Sequence, residues 1–411
     1  MLYDKCVVLG VTGGIAAYKS ASLASALVKQ GADVHVIMTA NARNFITPIT
    51  FETLTGNKCY TDTFDRNFKF DVTHISLAKK ADVIMVAPAT ADFIAKAANG
   101  IADDMLTTVL LAAACPKIVA PAMNTGMFFN PITQDNMKKL SHYGFTVIEP
   151  ASGRLACGDT GAGKMPEPDV LLQYIMKEIA RDKDLRGMKV LVTAGPTQED
   201  IDPVRYITNH SSGKMGQAIA RAAMLRGAEV TLISGPTSLP PVEFVENVSV
   251  KSSADMHRAV ISRAGDFDML FMSAAVADFT PAEKADHKVK KTELPEDTRT
   301  ESGGWRLELK PTGDILKDLS EMRRDDQVIC GFAMETEDLV ENARGKLERK
   351  KLDMIAANSL RTEGAGFSGD TNVITIVTED ITEELGKLSK LEAGMVLLDR
   401  AKEIFDRKAS M

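Results

Sequence analysis

The stretch Cys6-Val-Val-Leu-Gly-Val-Thr-Gly-Gly-Ile-Ala-Ala-Tyr-Lys-Ser-Ala-Ser-Leu-Ala-Ser-Ala-Leu-Val-Lys-Gln-Gly-Ala-Asp-Val-His-Val-Ile-Met38 decides the fold. An apolar run at 6–11 meets a Gly-rich turn, an amphipathic stretch continues to Gln30, Gly31 stops it, and a second apolar run fills 34–38. Strand, helix and strand in that order form a βαβ unit, and strands apolar on both faces belong to a parallel sheet covered on both sides. Further strands are expected at 82–86, 117–120 and 145–148, with helices at 91–98, 104–114 and 133–142.

After Pro150 the pattern lapses into a Gly-rich loop, a helix near 171–179 and a charged stretch at 181–187. A second unit opens at Lys189-Val-Leu-Val-Thr-Ala-Gly-Pro196. Its Ala222-Ala-Met-Leu-Arg-Gly-Ala-Glu-Val-Thr-Leu-Ile233 lies beside Ala26-Leu-Val-Lys-Gln-Gly-Ala-Asp-Val-His-Val-Ile37 of the first. Duplication explains the echo, and so does the common habit of a helix ending in Gly before a buried strand. The chain is therefore read as α/β, with two Rossmann-like domains at 1–186 and 187–411. The polar segment 292–304 reads as an exposed loop or hairpin tip.

Composition bounds the function. The 411 residues carry 49 Lys and Arg against 56 Asp and Glu, a formal charge of -7 that offers no general attraction to nucleic acid or an anionic membrane. The five cysteines are far apart and lack the paired spacings of zinc sites or disulfide scaffolds. No export signal opens the chain, and the apolar stretch 105–123 is broken by Thr107, Thr108, Pro116, Lys117 and Pro121. A cytoplasmic protein is expected.

Gly10, Gly13 and Gly14 stand where strand turns to helix, a place where backbone amides can approach a phosphate. Their spacing is not G-x-G-x-x-G, and no acidic residue ends either second strand: Met38-Thr39 and Ile233-Ser234 stand there. NAD is disfavoured and a mononucleotide such as FMN fits better. Thr12 and Thr39 could bond its phosphate, and Pro88, Ala89 and Thr90 offer a further small-residue loop.

Three polar residues of the first half could do chemistry: His74, Asn124 after a strand end, and Cys157 among four glycines of 153–163, a segment that reads as a mobile flap. Each also has a structural reading. Together, Gly10-Val-Thr-Gly-Gly-Ile-Ala16, His74, Ala87-Pro-Ala-Thr-Ala-Asp92, Pro121-Ala-Met-Asn124 and Ala156-Cys-Gly-Asp159 resemble the flavin-dependent cysteine decarboxylases that act on phosphopantothenoylcysteine. The resemblance covers residues 1 to about 180. It implies FMN contacts at Gly13, Gly14, Thr39 and Pro88 to Thr90, with Asn99 and Thr108 as further contributors. It makes His74 the base, Asn124 the holder of the substrate carboxylate and Cys157 the acid. Many relatives carry Trp where this chain has Phe128.

In the second half, Ser211, Ser212, Gly213, Lys214 and Met215 lead into a helix and form either an anion cradle or a start capped by Ser212. Lys288 and Lys290 lie in a lysine run beyond the turn that begins at Ser273. Thr193-Ala-Gly-Pro-Thr197, Arg205-Tyr-Ile-Thr-Asn-His-Ser-Ser-Gly-Lys-Met-Gly216, Ala274-Ala-Val-Ala-Asp278, Lys288-Val-Lys-Lys291 and Gly331-Phe-Ala-Met-Glu-Thr336 resemble phosphopantothenate-cysteine ligases. That resemblance implies activation of phosphopantothenate by CTP with Mg2+, an acyl-cytidylate, and its capture by L-cysteine. It places Ala274, Ala275, Asp278, Phe332, Lys346 and Lys350 on CTP, with Gly313, Asp314 and Ile315 against the nucleotide. Asn209 and Arg205 handle the acyl group, and Lys288 offsets charge at phosphorus. No metal ligands are legible.

Decarboxylase followed by ligase is the order of the fused bacterial enzymes of coenzyme A synthesis. The resemblance further implies homo-oligomers: decarboxylase trimers, ligase dimers, and from the two symmetries a dodecamer. A non-catalytic flavoprotein-like module and an NAD oxidoreductase are the rival readings. Joint retention of His74, Asn124 and Cys157 argues against the first, and the missing acids argue against the second.

Overall fold

The computed structural model describes residues 1–64, 73–154, 158–290, 300, 305–335, 338–359 and 369–410, and its contacts divide the chain into Met1–Asp182 and Lys183–Met411. The division falls inside the charged stretch 181–187. Lys183 donates to the Leu225 carbonyl, Asp184 pairs with Arg226, and Leu185 is fully buried, so residues 183–185 pack with the second unit.

The first unit runs β1 (Cys6–Val11), α1 (Ala17–Lys29), β2 (Asp33–Met38), α2 (Pro48–Thr55), α3 (Thr73–Lys80), β3 (Val83–Ala89), α4 (Ala91–Ala98), α5 (Met105–Ala112), β4 (Lys117–Pro121), α6 (Thr125–Phe128), α7 (Pro131–His142), β5 (Thr146–Val147), β6 (Ala151–Arg154), β7 (Thr160–Lys164) and α8 (Pro168–Ile179). The sheet order is β2-β1-β3-β4-β5, with every pair parallel. Strand order reverses between β1 and β3, and the crevice beyond the carboxyl ends of those strands is where ligands of open α/β sheets bind. The sheet is apolar on both faces because helices cover both: β1 and β3 are buried at every position. Of residues 153–163, expected as a mobile flap, 153–154 and 160–163 belong to the antiparallel ribbon β6–β7. Its base is fixed to the β4 loop, where the Met123 amide donates to the Gly163 carbonyl at 3.0 Å. The tip, with Cys157, lies outside the described residues.

The second unit runs β8 (Lys189–Ala194), β9 (Gln198–Asp200), β10 (Tyr206–Thr208), α9 (Lys214–Leu225), β11 (Glu229–Ser234), β12 (Glu246–Ser249), α10 (Ser253–Ile261), β13 (Met269–Met272), β14 (Phe279–Pro281), β15 (Leu309–Pro311), α11 (Ile315–Met322), β16 (Val328–Glu335), α12 (Leu339–Arg349), β17 (Met354–Ser359), β18 (Thr371–Asn372), β19 (Ile374–Thr378), β20 (Thr382–Glu384), β21 (Leu388–Ser389) and α13 (Lys390–Ala409). Its main sheet has the order β12-β11-β8-β13-β16-β17-β19-β20, parallel from β12 to β17 and antiparallel beyond. The switch point lies between β8 and β13. Helix α9 packs on β8 and β11, α12 on β16, β17 and β19, and α13 on α9. The segment 292–304 lies outside the described residues apart from Thr300.

The sequence echo is also a structural one. Helices α1 and α9 both end two residues before a left-handed glycine, Gly31 at φ 89° and Gly227 at φ 90°. In both, the next amide closes back on the helix at 3.1 Å, Ala32 to Leu27 and Ala228 to Ala223.

Candidate active sites in two clefts

At the carboxyl edge of the first sheet, a cleft of ≈ 590 Å³ is bounded by the first turn of α1, the start of α4, the 122–127 loop and the β6–β7 ribbon. Gly13, Gly14, Thr90 and Asn124 line it, so four of the sequence-predicted residues meet there. Ile15, Tyr18, Met123, Met127 and Met165 make much of its wall apolar, while Lys19, Arg154 and Lys164 add positive charge. A flat apolar ring with an anionic tail suits such a wall. Gly14 supports this fit: a Cβ there would meet only Pro88 Cγ and Thr90 Cγ2, both at 3.9 Å, so the bare backbone is not demanded by protein packing and leaves room for a ligand.

Several residues lie elsewhere than expected. Thr12 is 1% exposed and its hydroxyl is fully engaged, donating to the Pro88 carbonyl at 2.8 Å and accepting from the Thr90 amide at 3.0 Å, so it does not reach a phosphate. Pro88, after a cis Ala87–Pro88 bond, and Ala89 are buried in β3 beneath the cleft, and Thr90 and Ala91 are presented instead. Thr39 starts a short 3-10 turn and does not line the cleft. His74 is half-buried near the start of α3, Thr108 bonds back to the Asp104 carbonyl, and Asn99 takes a bond from Lys139 in a separate cavity. One chain therefore does not bring His74, Asn99 or Thr108 to Asn124. Asn124 itself caps α6 through Oδ1, which accepts from Gly126, and its Nδ2 donates to Asp159 at 3.0 Å.

The second cleft, ≈ 480 Å³, sits at the β8/β13 switch point. It gathers Asn209, Ser211, Ser212, Gly213, Lys214, Met215, Ser273, Ala274, Ala275, Asp278, Phe332 and Lys346, most of the residues expected for the ligase. The Asn209 side chain donates to the Ala275 and Val276 carbonyls, and Lys346 donates to the Phe332 carbonyl at 2.7 Å. Helix α9 is capped by left-handed Gly213 rather than by Ser212, whose Oγ accepts from the Lys214 amide at 3.5 Å.

Arg205, Lys288 and Lys290 do not line this cleft. Arg205 is clamped on buried Asp202, donates to the Val289 carbonyl and covers the Trp305 ring at 5.1 Å. Arg205, then the Val204, Arg205 and Val289 amides, hold the Asp202 carboxyl well below the usual carboxylate range. These bonds tie Val289 down and leave Lys288 and Lys290 exposed on either side of it. Asp314 caps α11 and pairs with Lys350, while the Ile315 side chain is buried in the core, which leaves only its backbone to face a nucleotide. Gly313 lines a separate ≈ 840 Å³ groove. Sequence reading missed Asn358, Asn372 and Lys390 in the second cleft. The available signal was an asparagine ending the apolar run Met354-Ile-Ala-Ala-Asn358.

Comparisons with known families match the chain in two parts. The Flavoprotein family model matches residues 1–180, and the model for the DNA/pantothenate metabolism flavoprotein C-terminal domain matches 185–404. The coenzyme A biosynthesis bifunctional protein CoaBC of Bacillus subtilis (strain 168) is 48% identical over 402 residues, covering 97% of each chain. The chain belongs to the CoaBC family. The Escherichia coli (strain K12) CoaBC is 40% identical over 407 residues, covering 99% of each chain. The solved FMN-dependent cysteine decarboxylase SpaF is 35% identical, covers 40% of this chain and 92% of its own, and has a TM-score of 0.36. As a CoaBC protein the chain is a phosphopantothenate-cysteine ligase and an FMN-dependent phosphopantothenoylcysteine decarboxylase of coenzyme A biosynthesis. Among the described residues no helix is long and apolar enough to cross a membrane.

Proposed function

We propose that the first cleft carries the decarboxylation and the second the ligation, which proceeds in the cytoplasm through an acyl-cytidylate formed from CTP. The observation that carries this reading is the second cleft, where the Asn209 loop, the first turn of α9 and Lys346 converge at a switch point. Such a site binds an anionic nucleotide and holds a carboxylate beside it. Lys288, from its exposed segment, would offset charge at phosphorus, and Mg2+ brought with the triphosphate would reduce the charge the cleft must offset.

In the first cleft, FMN when bound supplies the reversible two-electron chemistry that makes loss of CO2 from a cysteinyl carbon possible. Asn124 Nδ2 orients the substrate carboxylate, Arg154 and Lys164 offset phosphate charge, and Cys157 delivers the last proton. His74, Asn99 and Thr108 act from a neighbouring subunit of a decarboxylase trimer. The exposed Ile101, Leu111 and Tyr143 around the Asn99 cavity support that assembly, with ligase dimers completing a dodecamer.

Protein supplied with phosphopantothenate, cysteine, CTP and Mg2+ is expected to release pyrophosphate and CO2. Folded protein that releases neither sinks the reading, and equal turnover with ATP removes CTP from it.

A further inference from the structure

We propose that Asp159 is a specificity-determining residue of the decarboxylation: its carboxylate competes with that of the substrate for Asn124 Nδ2, and only a ligand that brings a carboxylate displaces it. This inference rests on the reading above that Asn124 holds the substrate carboxylate. Hydrogen bonding fixes which end of the Asn124 amide is which. Its Oδ1 accepts from the Gly126 amide at 2.8 Å, and a backbone N–H can only donate, so that end is oxygen and the other nitrogen. Nδ2, the only donor atom of the side chain, gives a hydrogen to Asp159 Oδ2 at 3.0 Å. The contact is open to solvent, Asp159 is exposed, and Asn124 lines the cleft. The group assigned to the substrate carboxylate therefore carries a carboxylate of the protein's own, in a place a ligand can reach.

Backbone, not its own bond, brings Asp159 there. It immediately precedes β7, and two contacts fix that strand to the loop of Asn124: the Met123 amide donates to the Gly163 carbonyl at 3.0 Å and the Thr125 hydroxyl to the Ala162 carbonyl at 2.9 Å. The approach is as close as glycine permits. A Cβ at Gly163 would overlap the Met123 carbonyl oxygen, and one at Gly161 would lie 2.7 Å from Thr125 Oγ1. A displaced Asp159 side chain thus turns into solvent while its strand keeps it at hand.

Charge makes this an exchange rather than a sharing. An NH2 group has two hydrogens, and a second carboxylate on the other one would stand about 5 Å from the first. Like charges that close, both on one nitrogen, disfavour joint occupancy. A substrate carboxylate therefore gains Asn124 at the expense of the Asp159 bond, and the exposed Asp159 recovers water. Loss of CO2 ends the contest. The C–C bond to the carboxyl group breaks, its electron pair passes into the thiocarbonyl left by flavin oxidation of the thiol, and the carboxyl carbon departs as uncharged CO2. Nδ2 then returns to Asp159. Phosphopantetheine, the product, has no carboxylate at that end and binds with the Asp159–Asn124 bond intact.

The test is calorimetric titration of the full chain, carrying its flavin, with two ligands: phosphopantothenoylserine, which keeps the carboxylate and has no thiol to oxidise, and phosphopantetheine. Asp159→Ala is expected to tighten the first about fivefold and to leave the second within about twofold. Asp159→Asn, whose side-chain oxygen still accepts from Nδ2 but without the charge, should tighten the first by less. Weaker binding of the serine analogue to Asp159→Ala overturns the proposal, and so does no change in it. Equal tightening of both ligands also overturns it, because that marks a general effect of charge on their shared phosphate. Asn124→Ala separates the two ideas. If it leaves the affinity for the serine analogue unmoved, the carboxylate reading of Asn124 falls; if it weakens that affinity while Asp159→Ala tightens nothing, only the competition falls.

Discussion

The first βαβ unit, β1–α1–β2, and the second, β8–α9–β11, share strand register, a helix closed by a left-handed glycine and one further device. At the end of β1, Thr12 Oγ1 accepts the amide of Thr90, the residue after β3. Near the end of β8, Thr193 Oγ1 accepts the amide of Ala274, just after β13. Each hydroxyl latches the two loops of its switch point together. What differs is the connection from strand to helix. Residues 12–16 lead directly into α1, so Gly13, Gly14, Ile15 and Ala16, bare of polar side chains, form that wall of the first cleft. Residues 195–213 insert the β9–β10 ribbon and carry Asn209 and the serines to the second. The same scaffold thus serves one cleft by bareness and the other by side chains.

The strongest way to break the comparison is to add a methyl group to each connection. A Cβ at Gly216 would lie 2.5 Å from Ala194 Cβ and 2.8 Å from the Thr193 carbonyl. At Gly13 it would lie 2.4 Å from Asn41 Cβ. Gly216→Ala is expected to reduce ligation about 100-fold by displacing the start of α9, while decarboxylation of supplied phosphopantothenoylcysteine persists. Gly13→Ala should do the reverse, with loss of flavin absorbance. Loss of both activities from either substitution would show that the two clefts are not independently built.

The latch gives a smaller effect. Thr193→Val and Thr12→Val keep shape but leave a half-buried amide without its acceptor, costing about 1 kcal/mol each. Thr12→Val should cost more, because it also removes the bond to the Pro88 carbonyl. Thermal unfolding ranks the pair, and equal losses would show that the Thr90 bond alone matters.

Acid separates the units further. Asp33, held at about 2 because Lys80 and Asn57 outweigh the effect of burial, stabilises the first unit above the ordinary carboxylate range and loses that contribution as pH falls toward 2. Asp202 has the same sign, and Arg205 extends its loss to still lower pH. Between pH 4 and about 2, Asp33→Asn and Asp202→Asn are each expected to flatten the acid unfolding of their own unit, and below about 2 only Asp202→Asn still does so.

Both βαβ units were legible because fully apolar strands and Gly-terminated helices leave a local record in Cys6 to Val11 and Ala222 to Ile233. The β9–β10 ribbon was not, since Gln198-Glu-Asp200 and Tyr206-Ile-Thr208 are short and carry little alternation. The role of Thr12 was misread for a related reason: a hydroxyl beside glycines suits phosphate or backbone equally, and only the fold places Pro88 and Thr90 beside it. Asn358 was missed because its meaning depends on Asn372 and Val373, brought to it only by strand pairing. Asn124 was recognised from its loop, though its cap on α6 and its bond to Asp159 needed coordinates.

The smallest effect tests whether the two helix ends are as alike as their angles. Alanine at φ 89° or 90° carries the strain of a left-handed backbone, about 1 kcal/mol at either position. The neighbours then differ. At Gly31 the new methyl would stand 2.7 Å from the ring of Tyr3, which is 75% exposed and can swing into solvent. At Gly227 it would meet Lys183 Cβ at 3.2 Å, and Lys183 is tethered through its ammonium to the Leu225 carbonyl at the end of α9. Gly227→Ala should therefore cost a few tenths of a kcal/mol more than Gly31→Ala, because moving Lys183 weakens a bond that satisfies the helix end. Asparagine, which tolerates the left-handed region, should recover part of the loss at both positions when unfolding is measured by calorimetry. A larger loss at Gly31 would mean that the Tyr3 ring is held in place and that the first helix end is the more tightly built of the two.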